Sequence, residues 1–102
     1  MEDNMNPAKV TRNKLHQLTD LTNVGNAVAD DLRKLGIHRP QDLAGRDAYA
    51  MYYELCEITG TQHDPCMIDV FLSITDFMQG NKLQPWWAFT ARRKADLLKL
   101  KR

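Results

Sequence analysis

Apolar residues recur at helical spacing along the chain, and polar or turn-forming residues separate one run from the next. In the segment 26–35, Val28, Leu32 and Leu35 follow one another at i, i+4 and i+7, which places them on one face of a helix. Gly36 follows directly, and glycine is the residue type that most often ends a helix in a left-handed conformation. The pattern therefore predicts a helix over 26–35.

The same pattern divides the rest of the chain into further short helices. They are expected over 8–21, 40–44, 47–58, 65–79 and 86–100. No segment shows the alternation of apolar and polar residues that a half-buried strand requires. We therefore expect a compact all-α fold of five to six short helices, with one domain over 8–102 and a disordered N-terminus over 1–7.

The last two predicted helices differ in how much of their surface is apolar. The helix over 65–79 is apolar almost all round, except for a polar stripe at i, i+4 and i+7 formed by Asp69, Ser73 and Asp76. Such a helix is typically central and mostly buried. The final helix is expected to bury one apolar side and to expose its basic residues. The apolar side consists of Trp87, Ala91, Ala95 and Leu98.

Composition narrows the class of protein. With 43% hydrophobic and 26% charged residues, the chain has the balance of a globular domain. The longest apolar stretch is far shorter than the roughly 20 residues that span a membrane, and the N-terminus is too polar for a secretory signal. Two cysteines are too few for a disulfide framework. We expect a cytoplasmic protein with no membrane partner.

Charge is unevenly distributed along the chain. Residues 82–102 carry a net charge of +6, whereas residues 1–81 carry −5. A basic end of this kind binds a polyanion, binds the acidic part of the chain, or is simply a solvated helix end. Charge alone leaves these three interpretations open.

The segment 21–37 resembles the helix-hairpin-helix motif of many DNA repair and replication proteins. That motif has a hairpin of glycine, a hydrophobic residue and glycine, and then a helix with a small residue. Val24, Gly25 and Ala29 match the hydrophobic residue, the second glycine and the small residue. Asn23 stands in the place of the first glycine, and asparagine tolerates a left-handed backbone better than other non-glycine residues do.

The resemblance implies a noncatalytic module that binds duplex DNA weakly and without sequence preference. Backbone amides at the start of the second helix would contact phosphate, and nearby bases would add attraction. The residues expected to contact DNA are Lys9, Arg12, Lys14, Asn23, Val24, Gly25, Asn26, Ala27, Arg92, Arg93 and Lys94.

Two other interpretations of the same segment stay open. Asn26 stands where a basic residue often follows the second glycine, and Asp30 and Asp31 oppose a nearby phosphate. A turn used only for packing would need Val24 and Gly25 as well. The alternative function is therefore a protein-interaction or self-association domain without nucleic-acid binding.

A degenerate second hairpin is also expected, because the helices over 47–58 and 65–79 repeat the helix–turn–helix order. The turn between them contains no Lys or Arg.

Over residues 10–95 the chain resembles the small bacterial "pathogenicity locus" helix-hairpin-helix proteins, some of which are labelled mitomycin-resistance proteins. The resemblance rests on Leu43, Arg46-Asp47, Tyr52, Leu55-Cys56, Thr59-Gly60, His63–Cys66, Asp69–Phe71, Asp76–Met78, Pro85–Trp87, Thr90 and Arg92–Lys94.

Other chemistry-bearing residues have simpler explanations. Cys56, His63 and Cys66, with His38, could ligate zinc, but their spacing matches no common zinc module and favours buried structural cysteines. Cys66 could also be a reactive thiol in the first turn of a helix.

The remaining features of the sequence are a pair of tryptophans and the absence of catalytic motifs. Trp86 and Trp87 could stack on single-stranded nucleic acid, or one could anchor the last helix. No catalytic or phosphate-loop pattern stands out, so we expect no enzyme activity, no metal, no cofactor and no small-molecule substrate.

Overall fold

The computed structural model of the chain describes residues 15–21 and 23–100, with only the backbone of Leu100. This part contains four α-helices: α1 (Asn26–Lys34), α2 (Ala48–Thr59), α3 (Cys66–Met78) and α4 (Thr90–Leu100). Three short 3-10 helices accompany them, at Leu18–Asp20, Pro40–Leu43 and Trp86–Phe89. The all-α prediction is confirmed, since the described ranges contain no strand. The predicted disordered segment 1–7 and the predicted DNA contacts Lys9, Arg12 and Lys14 lie outside these ranges.

α3 is the central helix, as its composition predicts. It packs against α2, α4 and the 3-10 helices on either side. Eight of its thirteen residues are buried, including the large side chains of Ile68, Phe71, Ile74 and Phe77. None of the helices in the described ranges is both long and apolar enough to cross a membrane.

Local polar groups fix where the middle helices begin and end. The Asp47 carboxylate accepts a hydrogen bond from the Tyr49 amide at 3.0 Å and so caps the start of α2. Gly60 ends that helix at φ +66°, a conformation that costs glycine little. The Asp64 carboxylate accepts from the Cys66 amide at 2.8 Å at the start of α3. These boundaries agree with the sequence prediction to within one or two residues.

The predicted helix over 8–21 is wrong in its described part. Only Leu18–Asp20 is helical there, as a single 3-10 turn. The Asp20 carboxylate accepts the amides of His16 at 2.9 Å and Gln17 at 3.0 Å. These bonds start the turn at Leu18 and hold the preceding residues in a non-helical conformation. In an α-helix through residues 16 and 17, these amides would donate to carbonyl groups of the previous turn. Here they donate to a side chain instead.

The same arrangement occurs again at residues 38–43. The Asp42 carboxylate accepts the amides of His38 at 3.0 Å and Arg39 at 3.2 Å, and the 3-10 helix Pro40–Leu43 follows. The hydrogen bond from the His38 amide lowers the pKa of Asp42 below its ordinary value. Two separate turns of the fold are thus closed by a carboxylate that bonds backbone amides three and four residues before it.

The predicted orientation of the last helix is wrong. The residues expected to be buried are exposed: Trp87, Ala91, Ala95 and Leu98. Phe89 and Arg93 are buried instead, and Leu97 packs against the core. The physical reason is a buried ion pair between Arg93 and Asp69 of α3, which sets the rotation of α4 about its axis.

Candidate functional site

The turn before α1 has the backbone geometry expected from its sequence. Asn23 adopts φ +68°, so the prediction of a left-handed asparagine is confirmed. Val24 is fully buried in the core, and Gly25 is extended at φ −91° and ψ −170°. α1 begins at the next residue, so the turn directs the chain into the helix without a linker.

The side chain of Asn23 faces the interior and fastens the turn to α3. Its Nδ2 donates to Ser73 Oγ at 3.0 Å, and Ser73 Oγ donates to the Val70 carbonyl at 2.6 Å. Asn23 is only 1% exposed. The side-chain amide of Asn23 therefore holds the turn in place and does not reach the surface.

Gly25 is not required by the conformation of the turn. Its φ lies in the region that any residue adopts, and a Cβ added there would meet no atom within 4 Å. The sequence prediction that a packing turn alone needs this glycine is therefore wrong. A glycine in open space, at the start of a helix, lets an external group approach the backbone closely.

The first turn of α1 presents backbone amides at the surface. The first helical hydrogen bond joins the Ala29 amide to the Gly25 carbonyl at 2.9 Å. The amides of Asn26 and Ala27 come before Ala29 and therefore have no acceptor within the helix. Both residues are exposed. The positive end of the helix dipole adds to these amides, and the arrangement can accept an anion. The Val24 amide is different, because it donates to the Leu21 carbonyl at 3.4 Å.

The two aspartates of α1 are paired within their own helix. Asp30 Oδ1 lies 2.7 Å from Arg33 Nη1, and Asp31 Oδ1 lies 3.5 Å from Lys34 Nζ. Each acid is thus neutralised by a base three residues on, which reduces its repulsion of an anion at the start of α1.

The basic residues of α4 divide between surface and core. Arg92 and Lys94 are exposed, and Arg92 lies 3.7 Å from Asp96. Arg93, expected from the sequence to contact DNA, is buried and bonds both carboxylate oxygens of Asp69, at 3.0 and 3.3 Å. This hydrogen bonding raises the pKa of Arg93. We therefore assign Arg93 to the core and remove it from the surface expected to contact DNA.

The residues considered as zinc ligands have other partners. The His63 amide donates to Cys56 Sγ at 3.5 Å, and the ring Nε2 of His63 lies 2.9 Å from Thr59 Oγ1. Arg93 Nη2 lies 3.7 Å from Cys66 Sγ. Over the described ranges, no group of three or more His, Cys, Asp or Glu side chains is arranged to hold a metal ion. The contacts of His63 with Cys56 and Thr59 close the turn between α2 and α3.

Cys66 is predicted to react slowly with alkylating reagents at neutral pH. The hydrogen bond with Asp64, together with burial, raises the pKa of the Cys66 thiol, so little thiolate is present. The Asp64→Asn variant keeps a capping side chain but removes the charge. Its pH profile of alkylation by iodoacetamide, measured at Cys66 by peptide-resolved mass spectrometry, should shift to lower pH. The same profile at Cys56 in the same sample serves as the internal control, and an unshifted Cys66 profile would contradict the prediction.

The helices and the turn before α1 define a small all-α domain built around one central helix. The sequence matches the pathogenicity locus family over residues 11–95, and the chain belongs to this family. Over 77 residues it is 36% identical to the mitomycin resistance protein McrB of Streptomyces lavendulae, covering 76% of this chain and 73% of that protein. No solved structure matches the chain. The family resemblance expected from the sequence is thereby confirmed.

Proposed function

We propose that this protein is a noncatalytic helix-hairpin-helix module that binds the phosphate backbone of duplex DNA through the start of α1. The amides of Gly25, Asn26 and Ala27 are the donors. The observation that carries the proposal is Gly25, whose missing side chain leaves the backbone accessible although the turn itself would accept another residue. Binding of this kind has no sequence preference, because phosphate contacts carry no base information.

The surface around these amides supports phosphate binding. Asn23 contacts Ser73, and Arg93 contacts Asp69, which lies one helical turn earlier on α3. The turn and α4 therefore contact successive turns of α3, and Arg92 and Lys94, which precede and follow Arg93 in the sequence, are exposed. We assign these two side chains, with Lys9, Arg12 and Lys14, to the attraction of further phosphates.

The proposal is tested by titrating the 15N-labelled protein with two duplexes of unrelated sequence at low salt. The amide signals of Gly25, Asn26 and Ala27 should shift with both duplexes. Affinity should fall steeply as salt is added, because counterion release accompanies phosphate contacts. An absence of shifts, or shifts that avoid the start of α1, would contradict the proposal.

A methyl group at position 25 is expected to separate binding from folding. Gly25→Ala should weaken DNA binding by about fivefold or more, because the methyl group holds phosphate away from the amides. Its free energy of unfolding should stay within about 1 kcal/mol of the parent, since the poorer helix cap is offset by reduced freedom of the unfolded chain. Gln62→Ala, an exposed change in the turn between α2 and α3, is the matched control. Equal affinities for the two variants would contradict the role of Gly25.

A further inference from the structure

The large hydrophobic side chains that the described part of the chain exposes lie on α2 and on the segment formed by the last 3-10 helix and α4. On α2 these are Tyr53 and Ile58, each 51% exposed. Near the C-terminal end of the described residues they are Trp87, 57% exposed, and Leu98, 70% exposed. Exposed side chains of this size, in pairs on two faces of a small domain, make these faces candidates for an interaction site.

The α2 face combines this apolar surface with negative charge. Glu54 and Glu57 are exposed and lie between Tyr53 and Ile58 around the helix. α2 contains no Lys, Arg or His. Among the described residues, Glu54 has one ion pair, a long one of 3.7 Å between its Oε1 and Arg46 Nη2. The outer face of α2 is therefore acidic with apolar edges.

The α4 face has the opposite charge. Ala91, Ala95 and Leu98 lie along one side of α4. Trp87 is exposed in the 3-10 helix that directly precedes α4. The exposed bases Arg92, Lys94 and Lys99 border this stripe. The outer face of α4 is therefore basic around an apolar centre, and its alanines leave room for another helix to approach.

The two faces adjoin within one molecule. Tyr49 of α2 donates from its hydroxyl to Asp96 of α4 at 2.5 Å. Tyr49 lies beside Tyr53 around α2, and Asp96 lies beside Arg92 around α4. The acidic and the basic face therefore meet at the contact between Tyr49 and Asp96, which forms the boundary between them.

We propose that this surface binds a second copy of the chain in a two-fold symmetric dimer. A two-fold axis along the boundary places the α2 face of each copy on the α4 face of the other. Both contacts then join acidic to basic residues, and both cover the exposed apolar side chains. Duplex DNA is the poorer occupant of the whole surface, because the carboxylates of Glu54 and Glu57 would repel it across half of that surface. The dimer would therefore cover the Arg92 and Lys94 side chains and compete with the phosphate attraction that we assign to them.

The dimer is tested by sedimentation of the full chain without nucleic acid, at concentrations from about 10 µM to 1 mM, where weak association becomes visible. We expect a monomer–dimer equilibrium. Leu98→Glu should raise the dimer Kd by about tenfold or more, because it places a carboxylate in the apolar centre of the contact. Circular dichroism and the Tm confirm that each exposed substitution leaves the fold intact.

A charge exchange distinguishes this dimer from any other. Glu57→Lys and Lys94→Glu should each raise the dimer Kd by about threefold or more, because each sets like charges against each other. An equal mixture of the two variants should recover the parent affinity. In a dimer of one copy of each variant, both charged contacts again join an acidic to a basic residue. A chain that stays monomeric throughout, or a mixture no more associated than its components, overturns the proposal.

The dimer and the DNA proposal can fail separately. Gly25 belongs to neither face, so Gly25→Ala is expected to leave the dimer Kd unchanged. If the protein is monomeric and duplex DNA shifts the amides of Ala91, Ala95 and Leu98, the α4 face binds DNA and the dimer proposal is wrong.

Discussion

Replacement of Asp69 by alanine is expected to lower the free energy of unfolding by about 3–5 kcal/mol, because Arg93 stays buried without its counter-ion. Asp69 is fully buried and bonds Arg93 through both of its oxygens. Thr90 also donates to Asp69, at 2.8 Å, and would lose its acceptor. A domain of this size has only about 5–15 kcal/mol of stability, so the Tm should fall by more than about 10 °C.

Adjacent arginines provide the matched control for this prediction. Arg93→Ala leaves the Asp69 carboxylate buried without its main partner and should cost a similar amount, whereas Arg92→Ala should change stability by no more than about 0.5 kcal/mol. Urea unfolding followed by circular dichroism measures all three variants. A loss for Asp69→Ala no larger than the loss for Arg92→Ala would show that the buried pair does not hold α4 to α3.

Replacement of Asn23 by alanine is the second large effect we expect, at about 2–3 kcal/mol of stability. Part of the loss is the hydrogen bond to Ser73, and part is the left-handed backbone at φ +68°, which alanine adopts at a cost. The loss is moderated because Asn23 Oδ1 is buried with no hydrogen-bond partner within the described structure, so removing it relieves an unsatisfied carbonyl.

Glycine at the same position separates the two contributions. Asn23→Gly also loses the hydrogen bond but accepts the left-handed backbone, so it should be more stable than Asn23→Ala by about 1 kcal/mol. Thermal and urea unfolding of the two variants under the same conditions give this difference directly. Equal stability of the two variants would mean that the backbone conformation contributes nothing to the cost.

The helices in the middle of the chain could be predicted because their signals are local. Asp47 and Gly60 bound α2, and both are residue types with a direct role at a helix end. The left-handed Asn23 was predictable for the same reason, since few side chains tolerate that backbone. The continuous apolar composition of α3 likewise predicted its central position.

The error near the start of the chain has a physical explanation in its spacing. Leu15, Leu18 and Leu21 are buried and three residues apart, which suits a 3-10 turn as well as an α-helix. The deciding signal is that the segment His16–Leu21 resembles the segment His38–Leu43. In both segments a leucine follows the histidine by five residues. The second segment was predicted as a short turn of helix, and the same interpretation would have been correct for the first.

The orientation of α4 and the burial of Arg93 could not be predicted from local pattern. Arg93 and Asp69 are 24 residues apart in the chain, and nothing near either residue identifies the other as its partner. An apolar stripe of alanines, Trp87 and Leu98 normally indicates a buried side. The ion pair overrides that preference, and the apolar stripe is turned outward to form part of the surface that we assign to the second copy.

The pairing of Asp69 with Arg93 also affects the order in which the chain can fold during synthesis. α3 leaves the ribosome before Arg93 does, and until then its central carboxylate has no cation to bury with. The nascent chain should therefore hold α3 only loosely packed until α4 has emerged. Completion of the core is thus delayed until α4 has left the ribosome, and chains that stop before Arg93 should remain open to proteolysis.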